Sequence, residues 1–133
     1  MRCSRLSLVA LLVAAGCYVG PEALVPAAAT RPSGAEVTLL TTGEEELIGE
    51  LLAVRPREMV IRTTSPARLV VVPFTIVRRG SSDSGHTFGP RAPRGRALER
   101  LRLTSRYPQG VDEALESALL REYDLSRMEV LGE

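Results

Sequence analysis

The chain has 133 residues, and its 17 basic side chains, all of them arginine, nearly balance 16 acidic ones for a formal net charge of +1. Such a length supports one small domain. The balanced charge does not favour nucleic acid as a partner, and 4% aromatic residues without tryptophan exclude a stacking surface for sugars or single-stranded RNA.

The N-terminus has the organisation of a secretory signal peptide. Two arginines precede an apolar run from Leu6 to Ala15, and Gly16 comes directly before Cys17. A basic start, an apolar stretch and small residues at the cleavage site are typical of such signals. A cysteine immediately after the cleavage site resembles the lipobox of bacterial lipoproteins. In that family cleavage leaves the cysteine as the first mature residue, and it carries a thioether-linked diacylglycerol and an N-acyl chain.

The resemblance implies that residues 1–16 are removed and that the mature chain is anchored in a membrane through Cys17. Tyr18 differs from the aspartate that this family uses for retention in an inner membrane. We therefore expect a protein exported to the outer membrane and facing the periplasm in a Gram-negative cell, or otherwise one on the outer face of the cell membrane. Residues 18–133 contain no further cysteine for a disulfide, a zinc site or a thiol nucleophile.

Two other interpretations of the N-terminal segment stay open. The apolar stretch from Leu6 to Val19 spans 14 residues, which is shorter than the ~20 needed to cross the hydrocarbon of a membrane. An uncleaved transmembrane anchor is nevertheless one alternative. The other is an ordinary signal peptide that is cut elsewhere, for example after the alanines 27–29.

Composition divides the rest of the chain into four parts. Residues 17–35 are rich in proline, glycine and alanine, which predicts a flexible tether that reaches up to roughly 60 Å when extended. Residues 36–79 predict a block of β-strands, and residues 80–96 form a loop by their glycine, serine and proline content. Residues 97–133 predict a helical extension that packs on the strands.

The strand block leads to the predicted fold class. It contains five apolar runs, most of them separated by turn signals, and they cover residues 37–41, 47–54, 59–64, 68–73 and 74–78. We therefore predict an α+β protein in which a small five-stranded antiparallel barrel or strongly bent sheet is followed by one or two C-terminal helices. Gly49, inside the second run, indicates a bulge or a sharp bend.

The same block resembles the Sm-like and other SH3-like small barrels. The likeness rests on alternate apolar positions, on two glycines and on a hydrophobic fourth strand, namely Val37, Leu39, Gly43, Gly49, Leu51, residues 69–73 and Ile76. It implies a small barrel of five strands. Residues 72–76, in the region where the Sm-like family carries its RNA-binding motif, lack the asparagine and the glycine-acid pair of that motif, so the resemblance brings no RNA-binding residue to this chain.

The C-terminal part predicts one clear helix. Apolar residues recur at helical spacing through Val111–Glu122, with acidic residues in the first turn, as the helix dipole favours. Residues 97–105 allow either a short helix that buries Leu98 and Leu101 or a strand, because the periodicity does not decide between them. Residues 128–131 form a short final strand or a docking tail.

Charge is distributed unevenly over this half of the chain. Residues 78–106 carry a net charge of +6, whereas residues 107–133 carry −5. One interpretation is an acidic helix face beside an arginine-rich loop, with weak attraction between exposed charges. The other is a basic patch that contacts the anionic phospholipid surface to which Cys17 ties the protein.

The sequence contains few groups for chemistry, and we predict no catalytic site, no metal site and no cofactor other than covalently attached lipid. His86 is the only histidine and lies in a loop rich in serine and glycine, so a hydrolase built around His86 is kept as an alternative. The three glutamates 44–46 indicate a solvated hairpin tip rather than a calcium site, because calcium ligands come from spaced positions.

We therefore expect a lipid-anchored lipoprotein of the cell envelope that acts as a non-catalytic binding or scaffolding module. Its candidate partner is another envelope protein, bound at a sheet edge or at the helix Val111–Glu122, and not a nucleic acid. A small-ligand pocket at the mouth of the barrel is the alternative within the binding class. An envelope hydrolase that uses His86 is the alternative from another class.

Overall fold

A computed structural model describes residues 33–132, so Gly16, Cys17 and nearly all of the predicted tether lie outside the described residues. Within this range the chain forms strands and helices, which confirms the α+β class. In chain order they are β1 (Glu36–Thr41), β2 (Glu46–Val54), β3 (Glu58–Thr64), β4 (Ala67–Pro73), a 3-10 turn (Phe74–Ile76), β5 (Val77–Ser82), β6 (Thr87–Phe88), α1 (Arg96–Leu103), α2 (Glu113–Glu122) and β7 (Glu129–Val130). Neither α1 nor α2 has the length and apolar composition needed to span a membrane.

All of these strands belong to one sheet, in the order β6-β5-β1-β2-β3-β4-β7. Neighbouring strands are antiparallel except β4 and β7, which are parallel. The sheet is open, so the predicted five-stranded barrel is wrong. Closure would require β4 to pair with β5, but β4 pairs on its outer side with β7, at Val70 and Val71, and β5 pairs with β6, at Gly80 and Ser81.

The region around β5 also differs from the prediction. Residues 74–76 form a 3-10 turn, so β5 begins at Val77 and continues to Ser82. The end of β5 and the whole of β6 therefore lie in residues 80–96, which we predicted to be a loop. For residues 97–105 the structure decides in favour of a helix, because α1 occupies most of that segment.

The sheet buries apolar side chains on both of its faces. Successive strand residues point to opposite faces. In β3, Met59 and Ile61 belong to one buried cluster, the first core, whereas Val60 belongs to the second core on the other face. Leu101 of α1 packs in the first core and Leu119 of α2 packs in the second. The two helices therefore cover opposite faces of the sheet.

Strand β2 contains a β-bulge that supplies both cores. The register with β3 shifts between Leu51 and Ala53, which leaves Leu52 as the extra residue. As a result, Leu52 and Ala53 both lie in the second core although they are adjacent in sequence. The bulge comes three residues after Gly49. A Cβ atom on Gly49 would stand 2.4 Å from the carbonyl oxygen of Arg62. Gly49 thus permits a close approach of the β2 and β3 backbones.

Candidate functional site

The described chain begins beside the C-terminal end of α1. The backbone N–H of Ala35 donates to the carbonyl oxygen of Thr104, directly after α1, at 2.9 Å. The backbone N–H of Gly34 donates to Oε1 of Glu50 at 2.8 Å. Ala35 is buried at this point. The predicted tether, residues 17–35, therefore joins the sheet next to α1.

Four exposed arginines lie on α1 and on the segment before it, and we call them the arginine surface: Arg91, Arg94, Arg96 and Arg100. Arg91 and Arg94 line a surface concavity of about 610 Å³. Arg96 and Arg100 lie one helical turn apart on the same side of α1, whereas Leu101 is buried in the first core. None of the four arginines forms an ion pair with any residue between 33 and 132.

The acidic residue of α1, Glu99, is already paired. Its carboxylate accepts hydrogen bonds from Nε and Nη2 of Arg102, at 2.9 Å and 2.6 Å. These hydrogen bonds hold the pKa of Glu99 below its usual range. Arg102 also donates to the carbonyl oxygen of Pro108. Glu99 is therefore engaged by Arg102 and does not neutralise Arg96 or Arg100.

Helix α2 carries the opposite charge. Its N-terminus is capped by Asp112, whose carboxylate accepts a hydrogen bond from the backbone N–H of Leu115 at 2.8 Å. Glu113 and Glu116 lie in its first turn and Arg121 in its last, as the helix dipole favours. Because α1 and α2 cover opposite faces of the sheet, the exposed arginines of α1 and the acids of α2 lie on opposite sides of the molecule.

A polar cluster fastens the end of α2 to the sheet. Nη2 of Arg62 lies 3.2 Å from Oε2 of Glu50, the residue opposite it on β2. The guanidinium of Arg62 also lies over the ring of Tyr123, 4.6 Å from its centroid. Arg106 donates to the phenol oxygen of Tyr123 at 3.2 Å. The cluster thus connects β2, β3, the segment after α1 and the C-terminal end of α2.

Sequence reasoning missed this cluster because the bulge in β2 creates it. Without the extra residue, the turn between β2 and β3 would place Arg62 opposite Leu51. With it, Arg62 pairs with Glu50 instead. The signal in the sequence was one charged residue near the middle of each of two apolar strands. Its contacts are all within the fold, and we assign the cluster a structural role.

The residues of the alternative hydrolase lie around the turn between β5 and β6. The hydroxyl of Ser82 contacts the hydroxyl of Ser84 at 2.7 Å and accepts a hydrogen bond from the backbone N–H of His86 at 3.3 Å. Asp83 accepts from the backbone N–H of Glu36 at 3.1 Å. The described contacts therefore join Ser82 to the backbone of His86 and not to its imidazole, and they do not form a pair of nucleophile and base.

The glutamates of the predicted hairpin tip are partly paired with arginine. Glu44 lies 3.3 Å from Nη1 of Arg78, and Glu45 lies 3.0 Å from Nη2 of Arg68. Across residues 33–132, no group of three or more histidine, cysteine, aspartate or glutamate side chains is arranged to hold a metal ion.

The helix predicted to bind a partner uses its apolar face inside the fold. Val111, just before α2, and Leu119 within it are buried in the second core, so α2 presents its acidic side to solvent. The outermost strands β6 and β7 have two residues each and pair with only part of β5 and β4. Because the sheet is open, the ligand pocket expected at a barrel mouth has no counterpart within residues 33–132.

Comparison of the chain with protein-family models, with curated proteins and with solved structures finds no match in any of the three. The two features that distinguish its surface are the arginine surface beside the tether and the acidic helix on the opposite face.

Proposed function

We propose that the protein is a lipid-anchored lipoprotein of the cell envelope that acts as a non-catalytic binding or scaffolding module. The observation that carries the proposal is Cys17 directly after Gly16, at the end of a basic start and an apolar run. A diacylglycerol and an N-acyl chain on Cys17 supply more than one acyl chain. That number matters because a single chain gives only marginal, reversible binding to a membrane.

The way the chain joins the folded part supports an anchored module. The predicted tether meets the sheet at Ala35, beside α1, so an anchor at Cys17 would keep the domain within the reach of this tether from the bilayer. Leu101 and Leu119 bury the apolar sides of both helices within the fold. The helix surfaces that remain for binding are therefore charged.

We propose an outer-membrane location facing the periplasm in a Gram-negative cell, and otherwise the outer face of the cell membrane. Tyr18, in place of the aspartate that retains lipoproteins in an inner membrane, supports this choice. The partner we propose is another envelope protein. The exposed acidic side of α2, with Glu113 and Glu122, is the surface that best suits such a contact.

Mass spectrometry of the mature N-terminus tests the proposed anchor. We expect the wild-type chain to begin at Cys17, to carry acyl chains and to fractionate with membranes. Cys17→Ser should remain unprocessed or leave the membrane fraction. Cys3→Ser is the matched control, because Cys3 lies within the predicted leader, and it should behave as the wild type does.

Two other outcomes would decide against the anchor. A wild-type chain recovered without acyl groups contradicts the proposal, whichever fraction contains it. A mature N-terminus directly after residues 27–29 would instead identify an ordinary signal peptide and a secreted protein.

A further inference from the structure

We propose that the arginine surface, formed by Arg91, Arg94, Arg96 and Arg100, docks the domain on anionic phospholipid headgroups of the membrane that holds its anchor. The inference rests on the proposed function for the choice of a membrane. It rests on the described residues for the choice of this face. Guanidinium groups bind phosphate oxygens through paired hydrogen bonds, which suits them to phospholipid headgroups.

Two features of the arginine positions work against the local stability of α1, although Arg100 lies in the last turn, where the helix dipole favours a positive charge. Arg96 is the first residue of the helix, where its positive charge meets the positive end of the helix dipole. Arg96 and Arg100 are like charges one turn apart, which destabilises a helix. The N-terminus follows Gly95 and has no capping hydrogen bond from a side chain. Local rules are typically broken in this way where residues serve binding rather than folding.

The arginine surface is close to the place where the predicted tether joins the domain. Ala35 is hydrogen-bonded to Thr104, at the C-terminal end of α1. Helix α1 has eight residues, which corresponds to a length of roughly 12 Å. Arg96 and Arg100 therefore lie within about 12 Å of the tether along the helix axis. The arginines are thus linked to the anchor through the predicted tether, which keeps headgroups at a raised effective concentration near these side chains.

The opposite charge on the other face gives the domain a preferred orientation. Exposed acids of α2, among them Glu113 and Glu122, are repelled by an anionic surface, whereas Arg96 and Arg100 are attracted to it. Because the two helices cover opposite faces of the sheet, the attraction of α1 to the bilayer and the repulsion of α2 from it favour the same orientation of the domain. Docking through α1 leaves α2 directed away from the bilayer, where an envelope partner can reach it.

The aromatic residues favour lipid over nucleic acid as the occupant. Within residues 33–132, Phe74 and Tyr107 are buried, and Phe88 is half-buried with its ring centroid 6.3 Å from that of Phe74. Tyr123 is half-buried and covered by Arg62. No exposed ring in this part of the chain stands ready to stack on a base, whereas phosphate groups at a bilayer surface require only positive charge.

Vesicle flotation tests the proposal on the predicted mature chain, residues 17–133. This chain carries Cys17→Ser, so that neither the basic, apolar leader nor lipid is attached, and its partition is measured on phosphatidylcholine vesicles with and without phosphatidylglycerol at low salt. The test variant replaces Arg94, Arg96 and Arg100 with glutamine. Each arginine at an anionic surface contributes about a fivefold preference. We expect the variant to lose between about tenfold and about a hundredfold of its preference for the anionic vesicles.

A second variant with the same change in charge is the matched control. It replaces three other exposed arginines, which lie outside the arginine surface, with glutamine: Arg57, Arg121 and Arg127. We expect the control to lose less than about threefold, because these groups do not face the same headgroups. Arg100→Gln alone provides a milder variant, for which we expect a loss of about fivefold. Added salt should weaken the wild-type preference.

Three results would overturn the proposal. The first is the absence of any preference for anionic vesicles, and the second is an equal loss in the test and control variants. The third is tighter binding of a random oligonucleotide that depends on the same three arginines, which would identify nucleic acid as the occupant. Because the tested chain carries no lipid, these results are independent of the mass measurement at Cys17. Docking and anchoring can therefore fail separately.

Discussion

The two helices have similar lengths and opposite net charge, and they differ most at their N-termini. Helix α2 follows the preferences of an isolated helix, since Asp112 caps its N-terminus and acids occupy its first turn. Helix α1 has no capping side chain, and Arg96 and Arg100 repel each other on its exposed side. Each nevertheless buries one leucine almost completely in the sheet. Burial rather than local charge therefore holds α1 in place, which leaves its charges free for binding.

The largest effect that tests this comparison is the loss of the buried leucines. Leu101→Ala and Leu119→Ala each create a cavity in one core, and we expect each to lower the free energy of unfolding by about 2–5 kcal/mol. The change is measured by urea unfolding at neutral pH. We expect α1 to unfold more completely in Leu101→Ala than α2 does in Leu119→Ala, because no side chain caps the N-terminus of α1.

Leu103→Ala is the control for α1, because this side chain is only half-buried at the end of the same helix. We expect it to cost less than about 1.5 kcal/mol, in proportion to the smaller apolar area that it removes from water. If Leu101→Ala costs no more than Leu103→Ala, the first core does not hold α1, and the contrast between the helices needs another explanation.

The strands could be predicted from the sequence because their signals are local. The apolar runs of β2 and β3 are separated by Arg55, Pro56 and Arg57, a turn that proline favours. The bulge at Leu52 was not predictable in this way, because it depends on two cores that lie on opposite faces of one strand. The ion pair that follows from that shifted register was missed for the same reason.

The open edges of the sheet depend on contacts between residues that are separated in the sequence. β6 pairs with β5 where Gly80 has no side chain and the ring of Phe88 packs in the space. β7 pairs with β4 only after α1 and α2 have brought the C-terminus back to the sheet. The charged blocks of the candidate site were visible as a net +6 in residues 78–106 and −5 in residues 107–133. Their separation onto opposite faces follows from topology.

The next test removes the feature that distinguishes α2. Asp112→Ala deletes the hydrogen bond to the backbone N–H of Leu115, and we expect it to lower the free energy of unfolding by about 1 kcal/mol. Asp112→Asn is the matched control, because an asparagine caps a helix nearly as well without the charge. If the two variants lose the same stability, the charge of Asp112 at the helix dipole matters and the capping bond does not.

The smallest effect comes from reversing the charge at the first position of α1. Arg96→Glu places an acid there and opposite Arg100 one turn later, and these two gains exceed the repulsion from Glu99, which is paired with Arg102. We expect the free energy of unfolding to rise by about 0.5 kcal/mol. Urea unfolding measures this gain, and Arg57→Glu, in the turn between β2 and β3, is the control that should leave stability nearly unchanged.

The same Arg96→Glu chain should lose preference for anionic vesicles. A more stable helix with weaker lipid binding is the trade-off expected where a charge is retained for function. If stability rises and vesicle binding is unchanged, the arginines of α1 serve neither the fold nor a membrane surface.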